Sequence, residues 1–164
     1  MCIRDRVWIE ATTSSYGKGT LRPFNLVGAP WVDGPELAAD LTAIGLPGVT
    51  FEAAIFTPDL ELDPNARLAN QDLSGIEVTV IDPAATPPIE VGVHLLVALR
   101  DHAADQNAGE IIDRPEFFDL LAGTTQLRQM LTDGAEAGEI IAAWQNDVAA
   151  FEDARAPYLL YDAN

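Results

Sequence analysis

The sequence predicts an α+β fold, close to α/β in its element order, with a small mixed sheet covered by helices. Three observations support it. The chain has 164 residues, enough to bury the core of one domain and too few for two ordinary ones. Hydrophobic residues make up 48% and charged residues 21%, which is typical of a folded protein. Segments with strand-like composition and segments with helical spacing follow one another along the chain.

The first third of the chain predicts two extended segments, a helix and a strand. The apolar run at residues 7–11 predicts a buried strand that leads into a polar loop, and residues 24–27 predict a short extended piece. Asp33-Gly34-Pro35-Glu36 is typical of a helix start, and Gly45 with Pro47 ends that helix. Residues 49–57 are rich in β-branched and aromatic side chains, which predicts a strand that stops at Pro58.

The rest of the chain alternates loops with one clear strand and several helices. Residues 59–74 predict a long loop, and residues 76–81 predict the clearest strand. Helical spacing at residues 91–102 is followed by a polar loop at 105–113. Three helices are then predicted, at 115–122, 125–133 and 139–154, and residues 158–161 return as a final strand or a packed tail. Trp144, Val148 and Phe151 have helical spacing and are expected in the core.

Composition excludes several classes of partner and cofactor. Twenty-six acidic residues against nine basic ones give a net charge of −17, which repels nucleic acid and anionic membrane surfaces. The longest apolar run, 91–99, is interrupted by His94 and is about half of the ~20 residues that a membrane span needs. His94 and His102 have no third ligand nearby in sequence, and the acidic residues form no calcium loop, so we expect neither a metal site nor a cofactor.

The segment from Glu10 to Arg22 has the composition of a binding loop. Glycines allow close backbone approach to a ligand, hydroxyls donate and accept hydrogen bonds, and Lys18, the only lysine, can hold an anion together with Arg22. A polar turn between two strands is the alternative. The run Gly17-Lys18-Gly19-Thr20 is not a phosphate loop, because a glycine separates the lysine from the threonine.

Several short motifs in this region resemble those of a known family. They are Glu10-Ala11-Thr12-Thr13, Gly17-Lys18-Gly19-Thr20, Pro23-Phe24 and Gly28-Ala29-Pro30-Trp31. In this order and spacing they resemble the Glu-Gly-Thr-Asn, Gly-Arg-Gly-Thr, Pro-Phe and Gly-Ala-Pro-Trp motifs of the NamZ-like exo-β-N-acetylmuramidases. The resemblance extends from about Trp8 to the closing run at 155–161.

The resemblance implies a domain organisation and an activity. Family members are about twice as long or more, with a Rossmann-like domain in front, so we expect residues 7–164 to be the C-terminal substrate-cleft domain of a two-domain glycosidase. Residues 1–6 do not look like a family start, and we expect a non-native leader there. The implied reaction is hydrolysis of terminal β-1,4-linked N-acetylmuramic acid from peptidoglycan fragments by an exported protein, with this chain inactive alone. The alternative is a non-catalytic domain that binds cell-wall sugar.

The resemblance also implies roles for individual residues. The main catalytic glutamate is expected in the missing front domain, which leaves Glu10 as an auxiliary carboxylate or a cleft-lining residue. The residues expected to contact the sugar are Thr12, Gly17, Lys18, Gly19, Thr20, Arg22 and Trp31. Alternatives remain for three of these positions: an ordinary hydrogen bond or salt bridge for Glu10, a surface ion pair for Arg22, and core or corner packing for Trp31. We also expect an exposed apolar face around residues 8–31, where the front domain would dock.

Overall fold

A computed structural model describes residues 6–160 of the chain and shows an α+β fold, which confirms the predicted class. Two short 3-10 helices, Val7–Ala11 and Ala156–Tyr158, lie near the two ends of the described part. The strands are β1 (Leu26–Ala29), β2 (Val49–Phe56) and β3 (Leu73–Val80). The helices are α1 (Gly34–Ile44), α2 (Pro88–Asp105), α3 (Pro115–Ala122), α4 (Gln126–Thr132), α5 (Ala137–Ala143) and α6 (Gln145–Arg155).

The sheet has three strands in the order β1-β3-β2, and both neighbouring pairs are antiparallel, so the small sheet is not mixed as the sequence predicted. Side chains alternate between its two faces, so Ile76 and Val78 of β3 point into the main core with α1, while Leu73 and Glu77 point the other way. The second face carries a smaller apolar cluster of Leu26, Phe56 and Leu73, with Leu68 of the long loop packed on it. Loops, rather than helices, therefore cover this second face.

Helix α1 confirms its predicted start and end. The Asp33 side chain accepts a hydrogen bond from the Glu36 amide at 3.1 Å, and a cap of this kind stabilises a helix by about 1 kcal/mol. Gly45 ends the helix in the left-handed conformation, with φ 75°. Leu37 and Leu41 are fully buried, and α1 packs against β2 and β3.

Helix α2 is the longest element and lies between α1 and the helices near the C-terminus. Leu95, Leu96 and Leu99 are fully buried, and the His102 Nε2 atom lies 3.2 Å from a carboxylate oxygen of Asp40 on α1. Burial lowers the pKa of His94. Residues 6–160 contain no cluster of three or more metal-ligating side chains, and no helix among them has the length and apolar content to cross a membrane.

Helices α3 and α4 are tied by an arginine–carboxylate pair. Arg128 donates to the two carboxylate oxygens of Asp119 at 2.8 Å and 2.7 Å. These hydrogen bonds hold the pKa of the Asp119 carboxyl below its ordinary value. Phe118, fully buried on α3, joins the main core, while α3 also packs on the first 3-10 helix.

The predicted strand at residues 7–11 is wrong, since this segment is the 3-10 helix Val7–Ala11. Trp8, Ile9 and Ala11 are all buried, so the apolar run does not mark one face of a strand. The turn is closed by Thr12, whose amide and hydroxyl both donate to the Ile9 carbonyl, at 3.0 Å and 2.8 Å. The extended piece predicted at 24–27 lies two residues later, as β1.

The single helix predicted at 139–154 is also wrong, because α5 and α6 meet at Trp144. The Trp144 side chain is half-buried against the core and its backbone leaves the helical region, with φ −112° and ψ 4°. Val148 and Phe151, predicted in the core, are 44% and 64% exposed on α6. The final strand or packed tail predicted at 158–161 is wrong for the residues that the structure describes, because Tyr158 ends the 3-10 helix Ala156–Tyr158 and Tyr158, Leu159 and Leu160 are all exposed. Tyr161 lies outside the described residues.

The exposed apolar face expected around residues 8–31 is not what the structure shows. Trp8, Ile9 and Tyr16 are buried, and Leu21, at 87% exposure, is the exception among the large apolar side chains of this described segment. Other exposed large apolar side chains are spread along the described chain, among them Ile55 of β2, Leu120 of α3 and Phe151 of α6.

Candidate functional site

The predicted binding loop is fixed on three sides by backbone hydrogen bonds. The Thr13 amide donates to the Ile111 carbonyl at 2.7 Å, and Ser15 exchanges two hydrogen bonds with Gly28 of β1 at 2.8 Å and 3.0 Å. On the third side the Asp59 amide donates to the Gly19 carbonyl at 2.8 Å. The loop is therefore held between the segment at 111–114, the sheet and the long loop that follows β2.

Four of the predicted sugar contacts have an observed role in shaping this loop. The Thr12 hydroxyl accepts from the Ser14 amide at 3.2 Å, besides donating to Ile9. The Thr20 hydroxyl donates to the Gly17 carbonyl at 2.6 Å and accepts from the Arg22 amide at 3.1 Å. Gly17 and Gly19 have φ values of 75° and 82° and lie against neighbouring backbone. In this structure these polar groups are directed at the loop itself.

The two predicted cations lie in different surroundings. Lys18 Nζ is 3.4 Å from a carboxylate oxygen of Asp63, in the long loop. Arg22 is paired with Glu77 on the second face of the sheet. Glu77 lies opposite Glu52 of β2, and Arg22 offsets the repulsion between these two carboxylates. The structure thus shows the surface ion pair that was the alternative for Arg22.

Trp31 packs in the structure as the alternative to a sugar contact predicted. Its side chain is half-buried and packs against the main core. Glu10 is half-buried in the first 3-10 helix, against which α3 packs.

Tyr16 is the centre of a group of charged side chains that the sequence did not single out. Its ring packs on Phe24 with the ring centres 5.0 Å apart, and its hydroxyl has no hydrogen-bond partner within residues 6–160. Burial raises the pKa of Tyr16, and the Glu10 carboxylate raises it further. The charges of Lys18 and Arg114 lower the pKa of Tyr16, and the charge of Asp63 raises it.

The pKa of Lys18 is shifted by some of the same neighbours. The nearby Tyr16 raises the pKa of Lys18 most, and the hydrogen bond and charge of Asp63 and the charge of Glu10 add to the effect. Glu10, Lys18, Asp63 and Arg114 thus all act electrostatically on Tyr16, Lys18 contacts Asp63, and Arg114 is hydrogen-bonded to Ala11 beside Glu10; we call these five residues the Tyr16 cluster. Three elements bring it together: the first 3-10 helix with its loop, the long loop and the start of α3.

Sequence reasoning found two members of the Tyr16 cluster and missed three. Glu10 and Lys18 were identified. Tyr16 was available as the one aromatic residue inside the polar loop, whereas Asp63 and Arg114 reach the cluster through tertiary contacts that leave no local pattern. A cavity of about 460 Å³ lies nearby but is lined by Ile111, Ile112, Leu131 and other residues outside the cluster.

Residues 5–161 match the family model described as Exo-beta-N-acetylmuramidase NamZ, C-terminal, and the chain belongs to that family. The peptidoglycan beta-N-acetylmuramidase NamZ of Bacillus subtilis (strain 168) is 31% identical over 153 residues. These residues are 93% of this chain and 35% of that protein, so the chain spans about a third of the relative's length.

Two solved structures of DUF1343 family proteins from Bacteroides fragilis NCTC 9343 have a similar fold. The first has a TM-score of 0.83 at 22% identity and covers 97% of this chain and 41% of its own, which shows a shared fold. The second has a TM-score of 0.69 at 31% identity, with 97% and 39% covered. The expected resemblance to the NamZ-like family is confirmed by the family match.

Proposed function

We propose that this chain is the substrate-binding part of an exo-β-N-acetylmuramidase that releases terminal β-1,4-linked N-acetylmuramic acid from peptidoglycan fragments. Membership of the NamZ C-terminal family supports the reaction class. The observation that carries the proposal to particular residues is the Tyr16 cluster, where two carboxylates, a phenol and two cations lie around one loop. A sugar offers hydroxyls, an acetamido group and, in muramic acid, a lactyl carboxylate for such groups to bind.

Glu10 is proposed as an auxiliary carboxylate in this reaction. Glycosidases use two carboxyl groups on opposite sides of the scissile bond, one as acid and one as base or nucleophile. Of the two acids in the Tyr16 cluster, Asp63 is held by Lys18, whereas Glu10 has no cation within 4.0 Å among the described residues. We place the principal catalytic carboxylate in the part of the relatives that this chain does not span. The 164-residue chain alone is therefore expected to be inactive.

The proposed substrate also suggests a location. Peptidoglycan lies outside the cytoplasmic membrane, so we propose that the protein works in an exported form. The high acidic charge agrees with a soluble partner such as a sugar fragment, because it repels anionic polymers and membrane surfaces.

The proposal is tested by measuring release of N-acetylmuramic acid from a chromogenic muramide and from a muramyl disaccharide. The chain is assayed alone and joined to the preceding part of the Bacillus subtilis relative. We expect release only from the joined protein, and a loss of about tenfold or more in kcat/KM for Glu10→Gln. Glu52→Gln, on the exposed edge strand, is the matched control and should keep full activity. Absence of release from the joined protein would contradict the proposed activity.

A sugar-binding domain without catalysis is the second candidate. It is favoured by the observation that Thr12 and Thr20 already bond within the loop, so the loop is ordered without any substrate. Under this candidate the joined protein binds muramyl sugars without releasing product, and Glu10→Gln leaves the affinity unchanged.

A further inference from the structure

Arg114 is unusual among the basic residues of this acidic chain. Lys18, Arg22, Arg67, Arg100, Arg128 and Arg155 each have a carboxylate partner within 4.0 Å. Arg114 has none within that distance in the part of the chain that the structure describes. With 26 acidic residues against nine basic ones, an arginine at the surface without a carboxylate partner is unexpected. The positive charge of Arg114 can therefore bind an anion that comes from outside the described part of the chain.

The Arg114 side chain is nonetheless held in place. Its guanidinium lies 4.9 Å from the centre of the Phe117 ring, and Phe117 is itself packed against the core. A cation–π contact uses the flat face of the guanidinium and leaves the N–H groups at its edge available. The backbone is fixed as well, because the Arg114 amide donates to the Ala11 carbonyl at 3.4 Å and its carbonyl accepts from the Phe118 amide at 2.9 Å.

The surroundings keep this cation available at the Tyr16 cluster. The neighbouring acid in sequence, Asp113, is held by Arg67, whose two terminal nitrogens bond to both of its carboxylate oxygens. The hydrogen bond from the Arg114 amide to the Ala11 carbonyl places Arg114 beside Glu10 at the start of the binding loop, and its charge lowers the pKa of the Tyr16 hydroxyl. Arg22, one of the two cations that the sequence predicted to hold an anion, is instead paired with Glu77. Arg114 is therefore the cation of the cluster whose N–H groups can donate hydrogen bonds to an anion that binds there.

We propose that Arg114 binds the lactyl carboxylate of a terminal muramic acid residue and so determines the specificity of the site. This inference rests on the function proposed above. The lactyl ether is the feature that distinguishes N-acetylmuramic acid from N-acetylglucosamine, and its carboxylate matches the planar fork of a guanidinium, which donates two parallel hydrogen bonds. Lys18, already shared with Asp63, serves the sugar hydroxyls.

The test compares binding of three sugars to the 164-residue chain by NMR titration: N-acetylmuramic acid, its lactyl methyl ester and N-acetylglucosamine. The methyl ester keeps the shape of the lactyl group and removes its charge. We expect the wild-type chain to prefer the acid, and Arg114→Gln to lose affinity for the acid about 10- to 100-fold with no change for the ester. Arg114→Lys, which keeps the charge and loses the fork, should lie between them.

Arg155→Gln is the matched control, since Arg155 also lies over an aromatic ring, Phe151, at 5.9 Å and is exposed on α6. It should leave all three affinities unchanged. The inference is overturned if wild-type protein binds the acid and the ester equally, or binds neither, or if Arg114→Gln keeps the preference for the acid.

Two further outcomes separate this inference from the proposed function. If the joined protein hydrolyses muramides and Arg114→Gln still prefers the acid to the ester, the lactyl site is wrong and the function stands. If the acid is preferred through Arg114 and the joined protein releases no product, the site is supported and the hydrolase is contradicted.

Discussion

At the scale of single residues, Gly19 fixes how the binding loop meets the long loop. A Cβ atom at Gly19 would lie 2.6 Å from the Ala66 Cβ and 2.9 Å from the Asp59 carbonyl oxygen, and the residue has φ 82°. We expect Gly19→Ala to lower the free energy of unfolding by about 2–4 kcal/mol, through a left-handed backbone and overpacking together. Urea denaturation measures this loss.

Gly45 provides the matched control for Gly19→Ala. Its φ is 75°, but a Cβ atom there would meet no heavy atom within 4 Å. Gly45→Ala should therefore cost only the backbone part, about 1–2 kcal/mol. Equal losses for the two variants would show that Ala66 and Asp59 do not constrain Gly19.

Single residues also show how far sequence reasoning reaches at the site. Lys18 and Arg22 are conspicuous because cations are scarce, and both were identified. Their partners Asp63 and Glu77 are brought to them by the folding of the long loop and of β3, which no local pattern encodes. Arg114 was missed for the same reason, since its distinction is the lack of a carboxylate partner within 4.0 Å among residues 6–160 of the folded chain.

At the scale of elements, local signals account for what was predicted well. Helix α3 has the predicted bounds, with a proline at its first position and Gly123 in the left-handed conformation after it. The segment Val7–Ala11 was mistaken for a strand because a short apolar run is compatible with either a strand or a buried helical turn. The break between α5 and α6 at Trp144 involves no glycine or proline, so no local signal in the sequence marks it.

Helix α6 allows a prediction about which helices hold the fold together. None of its residues is buried, whereas Phe118 of α3 is fully buried. We expect Phe118→Ala to lower the free energy of unfolding by about 3–5 kcal/mol. The double variant Val148→Ala/Phe151→Ala should change it by less than about 1 kcal/mol. Thermal and urea denaturation of both variants decide this, and similar losses would mean that the apolar face of α6 is covered in solution.

At the scale of the whole molecule, charge balance sets how the protein responds to salt. The net charge is −17, and the described cations are largely engaged in ion pairs such as Arg67–Asp113 and Arg128–Asp119. Most carboxylates are therefore closer to other carboxylates than to a free cation. Their mutual repulsion lowers the stability of the folded state relative to the unfolded chain. Surface ion pairs contribute little each, about 0–1 kcal/mol, so repulsion should dominate the salt dependence.

We accordingly expect added salt to stabilise the fold. Raising NaCl from about 0.1 M to 1 M shortens the screening length from about 10 Å to 3 Å, which weakens the repulsion between carboxylates. Tm measured at pH 7 should rise by about 2–4 °C for each kcal/mol of repulsion removed. Near pH 4, where about half of the carboxyls are protonated, the same salt step should have a much smaller effect, which separates charge screening from general salting out. A Tm that falls with salt at pH 7 would mean that ion pairs outweigh the repulsion.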